Sequence, residues 1–149
     1  MDIQEQPQDS TLQDPANLGW KRIRAGIDTD FSALIGPFWA RREDAGWTYA
    51  FRAEPRHANP RGVIHGGMLM SFADQALSLL AWEAAGRRPC ATVGLNNQFI
   101  AAAKPGDWIV ARGRVVRRTR SLVFMQGILS VNDGEILSAD GIWKLLGVE

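Results

Sequence analysis

Four polar residues in the middle of the sequence have the spacing that brings side chains together on one face of a helix. They recur at i, i+3, i+4 and i+7 and are Ser71, Asp74, Gln75 and Ser78. Residues 68–82 contain no Lys, Arg or Glu, although a solvent-facing stripe of this length normally carries long charged side chains. The helix is therefore predicted to be buried. A buried carboxylate needs a partner or a function, which makes Asp74 the first candidate for a catalytic group.

Gly66 and Gly67 come directly before this stretch. The first N–H groups of a helix lack internal partners and carry the positive end of its dipole. Glycine lets another group approach them closely. Donors placed in this way form an oxyanion hole, which stabilises negative charge as it develops on a reacting carbonyl oxygen. A tight turn from loop to helix explains the same pair of residues, so the glycines alone do not decide between the two interpretations.

The elements that must hold these groups are predicted from periodicity and turn residues. Trp20, Ile23 and Ile27 recur at helical spacing, which favours a short helix over residues 18–31. Strands are predicted at 35–41 and 47–54, followed by a loop rich in turn formers. The long helix should run from 68 to about 85, with Gly86 as a left-handed residue just past its end.

Four further strands are predicted after the long helix, at 93–100, 108–118, 122–131 and 135–146. Lys104-Pro105-Gly106-Asp107 favours a type II turn, and Asn132-Asp133-Gly134 is a strong hairpin signal. Strands joined by short turns form an antiparallel sheet, and one helix can cover one of its faces. The fold class is therefore α+β, with a curved sheet around one central helix. Residues 1–17 are predicted to be a polar tail and 18–149 one domain.

Composition excludes several functions. A net charge of +1 argues against general binding to nucleic acid or anionic membranes. The single cysteine, Cys90, excludes an internal disulfide framework and suits a reducing compartment. The N-terminus has no secretory signal pattern, and no apolar run of about 18 residues could span a membrane. A cytoplasmic protein is expected. Two histidines in a loop make a poor metal site, and no nucleotide motif points to a cofactor.

A compound motif resembles a known family. His57-x-Asn59-x-x-Gly62-x-x-His65-Gly66-Gly67, with Asp74 seven residues further on, is similar to the signature of hotdog-fold thioesterases of the phenylacetate-degradation type, which are related to the 4-hydroxybenzoyl-CoA thioesterases. The resemblance covers about residues 30–146. It implies an antiparallel sheet around a long central helix, and a homodimer or homotetramer with active sites at a subunit interface. It also implies hydrolysis of an acyl-CoA thioester.

The same resemblance implies roles for five residues. Asp74 would be the general base or the nucleophile, reaching across from one subunit. The Gly67 N–H group would polarise the thioester carbonyl in the other. Asn59 would hold the carbonyl or the attacking water, and His65 would anchor the loop and touch the thioester. Thr92 stands where some relatives carry a serine that positions water.

Substrate binding is predicted for residues that surround this centre. They are Gly66, Ser71, Gln75, Ser78 and Trp82 along the helix, and Arg117, Arg118 and Arg120 at a turn. These arginines belong to a basic cluster that also includes Arg112 and Arg114, and a turn can reach outward to the phosphates of CoA. Protection of a sheet edge by charge explains the cluster equally well. Gly94 replaces a larger polar residue of some relatives.

Two other functions stay open at this point. A hotdog hydratase or dehydratase pairs a loop histidine with a helix carboxylate, as His65 and Asp74 could. A non-catalytic acyl-CoA-binding protein is the second alternative. Such sensors usually carry an output domain, for which 149 residues leave no room.

Overall fold

The computed structural model describes residues 14–23 and 29–147. In this part of the chain seven strands form one sheet, in the order β1-β2-β3-β5-β6-β7-β4, with every neighbouring pair antiparallel. The strands are β1 (Lys21–Arg22), β2 (Trp39–Glu43), β3 (Gly46–Arg52), β4 (Cys90–Phe99), β5 (Trp108–Arg118), β6 (Leu122–Val131) and β7 (Gly134–Leu145). The helices are α1 (Phe31–Ile35) and α2 (Gly66–Ala84). The predicted α+β hotdog architecture is confirmed.

The predicted turns are present with the expected backbone. Asn132 and Asp133 have φ of 47° and 66°, so they form a two-residue hairpin loop of the kind in which both residues are left-handed. In the turn before β5, the Asp107 N–H group donates to the Lys104 carbonyl at 3.1 Å, and Gly106 has φ +96°. Gly86, just past α2, has φ +69°. These local signals fix where the strands and the long helix end.

Helix α2 packs against the inner face of the sheet. Its buried residues are Met68, Leu69, Phe72, Ala73, Ala76, Leu77 and Ala81. The contact is closest where Leu77 meets two glycines of the sheet. A Cβ atom added at Gly113 or Gly127 would lie 2.7 or 2.6 Å from Leu77 Cδ2. The Leu77 side chain therefore fills a depression in β5 and β6. This depression exists only because positions 113 and 127 are glycine.

Strand β4 lies at the edge of the sheet and contains a bulge. Among the described strands it pairs only with β7, and the register shifts between Thr92 and Gly94. The extra residue, Val93, changes the alternation, so that Thr92 and Leu95 both face α2 although they are three residues apart. One edge of this ten-residue strand has no neighbour among the described residues.

The N-terminal prediction was wrong where it can be compared. Instead of a helix from residue 18, a 3-10 turn at Pro15–Leu18 leads into β1. Trp20 is buried and meets Trp108 edge-on, with ring centroids 5.4 Å apart. This contact with a distant strand decides the local conformation. Residues 24–28 and most of the predicted tail (1–13) lie outside the described residues.

The predicted strand at 35–41 begins later than expected. Asp30 caps a short helix, since its side chain accepts a hydrogen bond from the Ala33 N–H group at 2.8 Å, and α1 occupies 31–35. Strand β2 follows only at Trp39. The Asp30 cap was a readable signal that the periodicity argument overlooked.

Candidate active site

Asp74 and Thr92 meet between α2 and the edge strand. The Thr92 hydroxyl donates to Asp74 Oδ1 at 2.6 Å. Asp74 is partly buried and Thr92 is exposed. The bulge at Val93 turns Thr92 toward the helix. Within the described residues Oδ2 of Asp74 accepts no hydrogen bond, so this oxygen is available to a water molecule or a substrate.

The loop before α2 is held by a ladder of backbone hydrogen bonds. The N–H group of His65 donates to the His57 carbonyl at 2.9 Å, and that of Asn59 donates to the Val63 carbonyl at 2.8 Å. The Asn59 Oδ1 atom accepts from the Arg61 N–H group at 2.9 Å. Because this bond fixes the oxygen inside the loop, the amide Nδ2 of Asn59 is the part that can donate to a ligand.

His65 is the N-cap of α2. Its Nδ1 atom accepts a hydrogen bond from the Gly67 N–H group at 2.8 Å. The proton of the neutral imidazole is then on Nε2. The Ser71 hydroxyl donates to the Gly67 carbonyl at 2.8 Å. The predicted oxyanion donor thus has an internal partner, and a substrate carbonyl must take the place of the His65 imidazole.

Gly67 and Asp74 of one chain are too far apart to act on the same thioester. Seven residues of helix separate them, which corresponds to about 10.5 Å along the axis. A carbonyl oxygen held at Gly67 would leave its carbon beyond the reach of a water on Asp74. Both groups nevertheless lie on the side of α2 that faces β4 and its free edge.

His57 is a structural residue of the loop. It is 5 % exposed, its Nδ1 accepts from the Glu54 N–H group at 3.0 Å, and its ring meets Phe51 edge-on. Burial, with the nearby Arg56 charge, lowers the pKa of His57 below its ordinary value of 6.5. The folded protein therefore favours the neutral imidazole.

We expect this histidine to make the fold sensitive to mild acid. The neutral form stabilises the protein above pH about 6.5, and the contribution is lost as the pH falls, because the unfolded chain then binds more protons. The free energy of unfolding should decrease between about pH 7 and 5, by at most about 1.4 kcal/mol per pH unit from this group. Urea unfolding of wild type and His57→Gln measures the slope. His65→Gln, at the exposed histidine, is the control and should keep the wild-type dependence of the unfolding free energy on pH. If H57Q also kept the wild-type dependence, the assignment to His57 would be contradicted.

The other predicted helix residues have internal partners. Gln75 Oε1 accepts from the Ser32 hydroxyl at 3.2 Å, which ties α1 to α2. The Ser78 hydroxyl accepts from the buried Trp143 indole N–H group at 2.7 Å. Trp82 lies under the Arg87 guanidinium, 5.3 Å from its carbon to the ring centroid. These contacts hold the three side chains beside or beyond Asp74 on the helix. None of the contacts brings a side chain to Gly67.

The arginine cluster divides into two groups. Arg112 binds Glu43 through two contacts of 3.1 Å, and Arg114 donates to Gln126 at 2.6 Å. The Arg112 guanidinium, with Arg41 and the Thr48 hydroxyl, lowers the pKa of Glu43 to about 2. Arg112 is thus part of a structural ion pair.

The turn arginines lie at the end of the sheet where α2 ends. Arg117, Arg118 and Arg120 are exposed. The register aligns Arg118 with Val123, Trp143 and Thr92 on successive strands. Three strand spacings put it roughly 14 Å from Thr92.

One polar residue that faces the helix was missed by the sequence argument. Asn97 lies on β4, and both its Nδ2 and Oδ1 atoms are buried without a hydrogen-bond partner among the residues that the structure describes. A buried amide in this state costs about 1–3 kcal/mol. The available signal was the alternation Leu95, Asn97, Phe99, which puts an amide where an apolar side chain is expected.

Two surface depressions on the described part of the chain are large enough to consider as binding sites. The one beside the start of α2 has a volume of about 360 Å³ and is lined by Ile64, Gly66, Leu69 and residues 99–103. The larger one, about 430 Å³, lies on the sheet around Gln126 and contains no predicted site residue. The smaller depression is the relevant one, because it adjoins Gly66 and the apolar surface of Phe99.

Residues 14–23 and 29–147 contain no cluster of three His, Cys, Asp or Glu residues that could hold a metal ion. None of the described helices is long and apolar enough to cross a membrane.

Comparison with known proteins decides the family. The sequence profile of the thioesterase superfamily matches residues 61–137, which include the glycine pair, Asp74 and Thr92. The chain belongs to the thioesterase superfamily. This thioesterase is 32 % identical over 114 residues to "Putative esterase PA0474" of Pseudomonas aeruginosa, and the match covers 75 % of this chain and 85 % of that protein.

Solved structures support the assignment of the hotdog fold. A "putative thioesterase, phenylacetic acid degradation-related protein" of Ralstonia eutropha is similar with a TM-score of 0.70 at 25 % identity, over 81 % of this chain and 92 % of that one. A hypothetical thioesterase of Streptococcus pneumoniae, solved with coenzyme A, has a TM-score of 0.67 at 20 % identity, over 75 % and 88 % of the two chains. The thioesterase is thus a hotdog-fold thioester hydrolase.

Proposed function

We propose that this thioesterase hydrolyses acyl-CoA or aryl-CoA to the free acid and CoA, as a cytoplasmic dimer or tetramer whose active sites lie between subunits. The observation that supports this most strongly is the Asp74–Thr92 pair, 2.6 Å apart, at an edge strand whose outer side has no neighbour among the described residues. The Streptococcus pneumoniae protein is described with coenzyme A, and also as alanine mutants of an aspartate and of a threonine. Those residue types are the ones that meet here.

The interface is proposed to form along the free edge of β4. A second chain pairing there would satisfy the unpaired backbone groups of the strand. It would also cover apolar side chains that are exposed in the single chain, among them Met70 (40 %), Val93 (62 %) and Phe99 (54 %). With this pairing, Gly67 of one chain and Asp74 of the other can face the same substrate.

The thioester carbonyl would displace His65 from the Gly67 N–H group and accept that hydrogen bond at the positive end of α2. Asn59 would donate its amide Nδ2 to the carbonyl or to the attacking water. Asp74 of the opposite chain would remove a proton from water, or attack the carbonyl carbon itself, while Thr92 holds its Oδ1 in place. The CoA thiolate then leaves and takes up a proton from the water that is consumed. If Asp74 attacks directly, water hydrolyses the resulting anhydride, which releases the free acid and restores the carboxylate. His65, released from Gly67, can turn toward the thioester.

Gly66, Ser71, Gln75, Ser78 and Trp82 are proposed to shape the substrate site along α2. Ser71 and Gln75 act beside Asp74, while Ser78 and Trp82 lie further along the helix. Trp82 is about 12 Å beyond Asp74 on the helix axis. This direction leads to the end of the sheet that carries Arg117, Arg118 and Arg120, which are proposed to bind the phosphates of CoA.

The test is release of free thiol from a panel of acyl-CoAs of short, medium and long chain, with phenylacetyl-CoA and hydroxybenzoyl-CoA. Each acyl group is also offered on a short thiol that carries no phosphate. Arg117→Ala/Arg118→Ala should raise KM for the acyl-CoA about tenfold and leave KM for the phosphate-free thioester close to that of wild type. Lys21→Ala/Arg22→Ala is the control. It removes the same charge from β1, the edge strand on the other side of the sheet from β4.

Two results would contradict the proposal. No thiol release from any CoA thioester, by folded protein, would exclude acyl-CoA hydrolysis. An equal rise of KM on both kinds of substrate in the arginine variant would exclude the phosphate contact. Loss of enoyl-CoA absorbance without thiol release would instead identify a hydratase.

A further inference from the structure

Asn97 lies on the inner face of β4, directly against the helix. Its register partner Ala139 is buried, while its neighbours Asn96 and Gln98 are exposed on the outer face. Both polar atoms of the Asn97 side chain are buried and have no hydrogen-bond partner. An amide at this position is thus enclosed but unsatisfied, and an apolar residue of similar size would pack there without that cost.

The residues aligned with Asn97 across the sheet offer it no polar side chain. They are Ala139, Gly127 and Gly113. Ala73 and Leu77 of α2, which line the same small cavity as Ala139, are also apolar. None of these residues satisfies the amide, so we look for its hydrogen-bond partner outside the described residues.

Asn97 also lies between the two halves of the candidate active site. Along β4, Phe99 contacts the start of α2, where a Cβ on Gly66 would be 3.1 Å from the Phe99 ring. Further along the same strand, Thr92 binds Asp74. Asn97 falls between these two contacts, on the face of β4 that is turned to the helix.

Met70 lies on the same side of α2 as the two halves of the candidate site. It is one helical turn from both Gly66 and Asp74, and 40 % of it is exposed. An unbranched thioether adapts easily to a neighbouring group, so it is the side chain that we expect to move when an acyl group lies along this side of the helix.

We propose that Asn97 determines specificity, by binding an uncharged polar substituent, a hydroxyl or an oxo group, on the acyl part of the substrate. The amide donates from Nδ2 and accepts at Oδ1, so it fits either substituent. This inference rests on the proposed acyl-CoA hydrolysis and extends it to the class of acyl group. Sites that break a local packing rule are commonly functional, and this amide is the clearest such case among the described core residues.

The test uses pairs of substrates that differ only in the substituent. Octanoyl-CoA is compared with its 3-hydroxy and 3-oxo derivatives, and phenylacetyl-CoA with its 4-hydroxy derivative. The readout is the ratio of kcat/KM for the substituted and the plain substrate. Wild type should prefer one substituted member, and Asn97→Leu should reduce this ratio about tenfold or more. Asn96→Leu, on the outer face of the same strand, should keep the wild-type ratio.

The melting temperature gives a second readout, because Asn97→Leu removes an unsatisfied amide and should raise it. An unchanged ratio in N97L overturns the inference, whichever way the melting temperature moves, while thiol release by wild type still supports the proposed function. If wild type releases no thiol, the proposed function fails. Calorimetric binding of the free hydroxy acids and their plain counterparts then decides the role of Asn97, and equal affinity in wild type and N97L overturns it.

Discussion

Asp74→Asn should lose about 10²–10⁴-fold in kcat while its fold is preserved. Asparagine keeps the size of the side chain, and its amide oxygen can still accept from the Thr92 hydroxyl that now lies 2.6 Å from Oδ1. What it loses is the capacity to take a proton from water or to attack a carbonyl. Steady-state release of thiol from the best acyl-CoA measures the loss, and thermal unfolding monitored by circular dichroism checks the fold.

Thr92→Val is the matched variant, because it removes the hydrogen bond and leaves the carboxylate. Its kcat should fall by less than that of the aspartate variant, since the base is present but no longer held in one orientation. Near wild-type turnover in D74N would show that Asp74 is structural. A loss as large in T92V as in D74N would transfer the central role to the hydroxyl.

Two inactive variants should restore each other's activity when they are mixed as subunits. Asp74→Asn disables one half of each site. Gly67→Ala disables the other half, because a Cβ there would lie 3.0 Å from His65 Nδ1 and stand in the way of the carbonyl. If each site takes Gly67 from one chain and Asp74 from the other, a mixed dimer holds one site with both defects and one site with neither. Random mixing makes half the dimers mixed, so about a quarter of wild-type activity should return.

The experiment needs co-expression or refolding of the two variants together, with activity measured per mole of total chain. Each variant refolded alone gives the background activity. The double variant D74N/G67A mixed with wild type shows how much activity per mole of chain is lost when wild-type subunits are diluted with inactive ones. Activity that stays at the background level of the single variants would place both groups of a site in one chain. The distance of about 10.5 Å along the helix would then have to be bridged by a different substrate geometry.

The parts of the fold that sequence predicts are those with strong local signals. The polar stripe from Ser71 to Ser78 identifies α2, and Asn132-Asp133-Gly134 identifies the β6–β7 hairpin, because these residue types favour one backbone conformation. Strand β6 was predicted with the bounds it has in the structure. The hydrogen bond between Asp74 and Thr92 was not predicted, since the two residues are separated by the end of α2 and a loop. Resemblance suggested only that Thr92 positions water.

The parts that sequence could not predict depend on distant contacts. Trp20 enters the core against Trp108, which is far away in the chain, and this packing prevents the helix that its periodicity favours. The bulge at Val93 shifts the alternation of β4, so that Thr92 and Asn97 both face the helix although they are five residues apart. The alternation of Leu95, Asn97 and Phe99 can be read from the sequence, but the one-residue shift that relates it to Thr92 cannot. The roles proposed for Gly67, Asn59, His65 and the turn arginines stay predictions.

The depression that Leu77 fills has a consequence for how this enzyme can diversify. Leu77 packs directly on Gly113 and Gly127, so a larger side chain at either glycine would collide with it. The core beneath that half of α2 therefore cannot be reshaped to suit a new substrate without disturbing the packing. Variation in substrate range is therefore expected at residues outside this packed region, such as the exposed Met70 and Phe99. Substitutions at exposed positions usually change stability little, so lineages with the same core can come to accept very different acids.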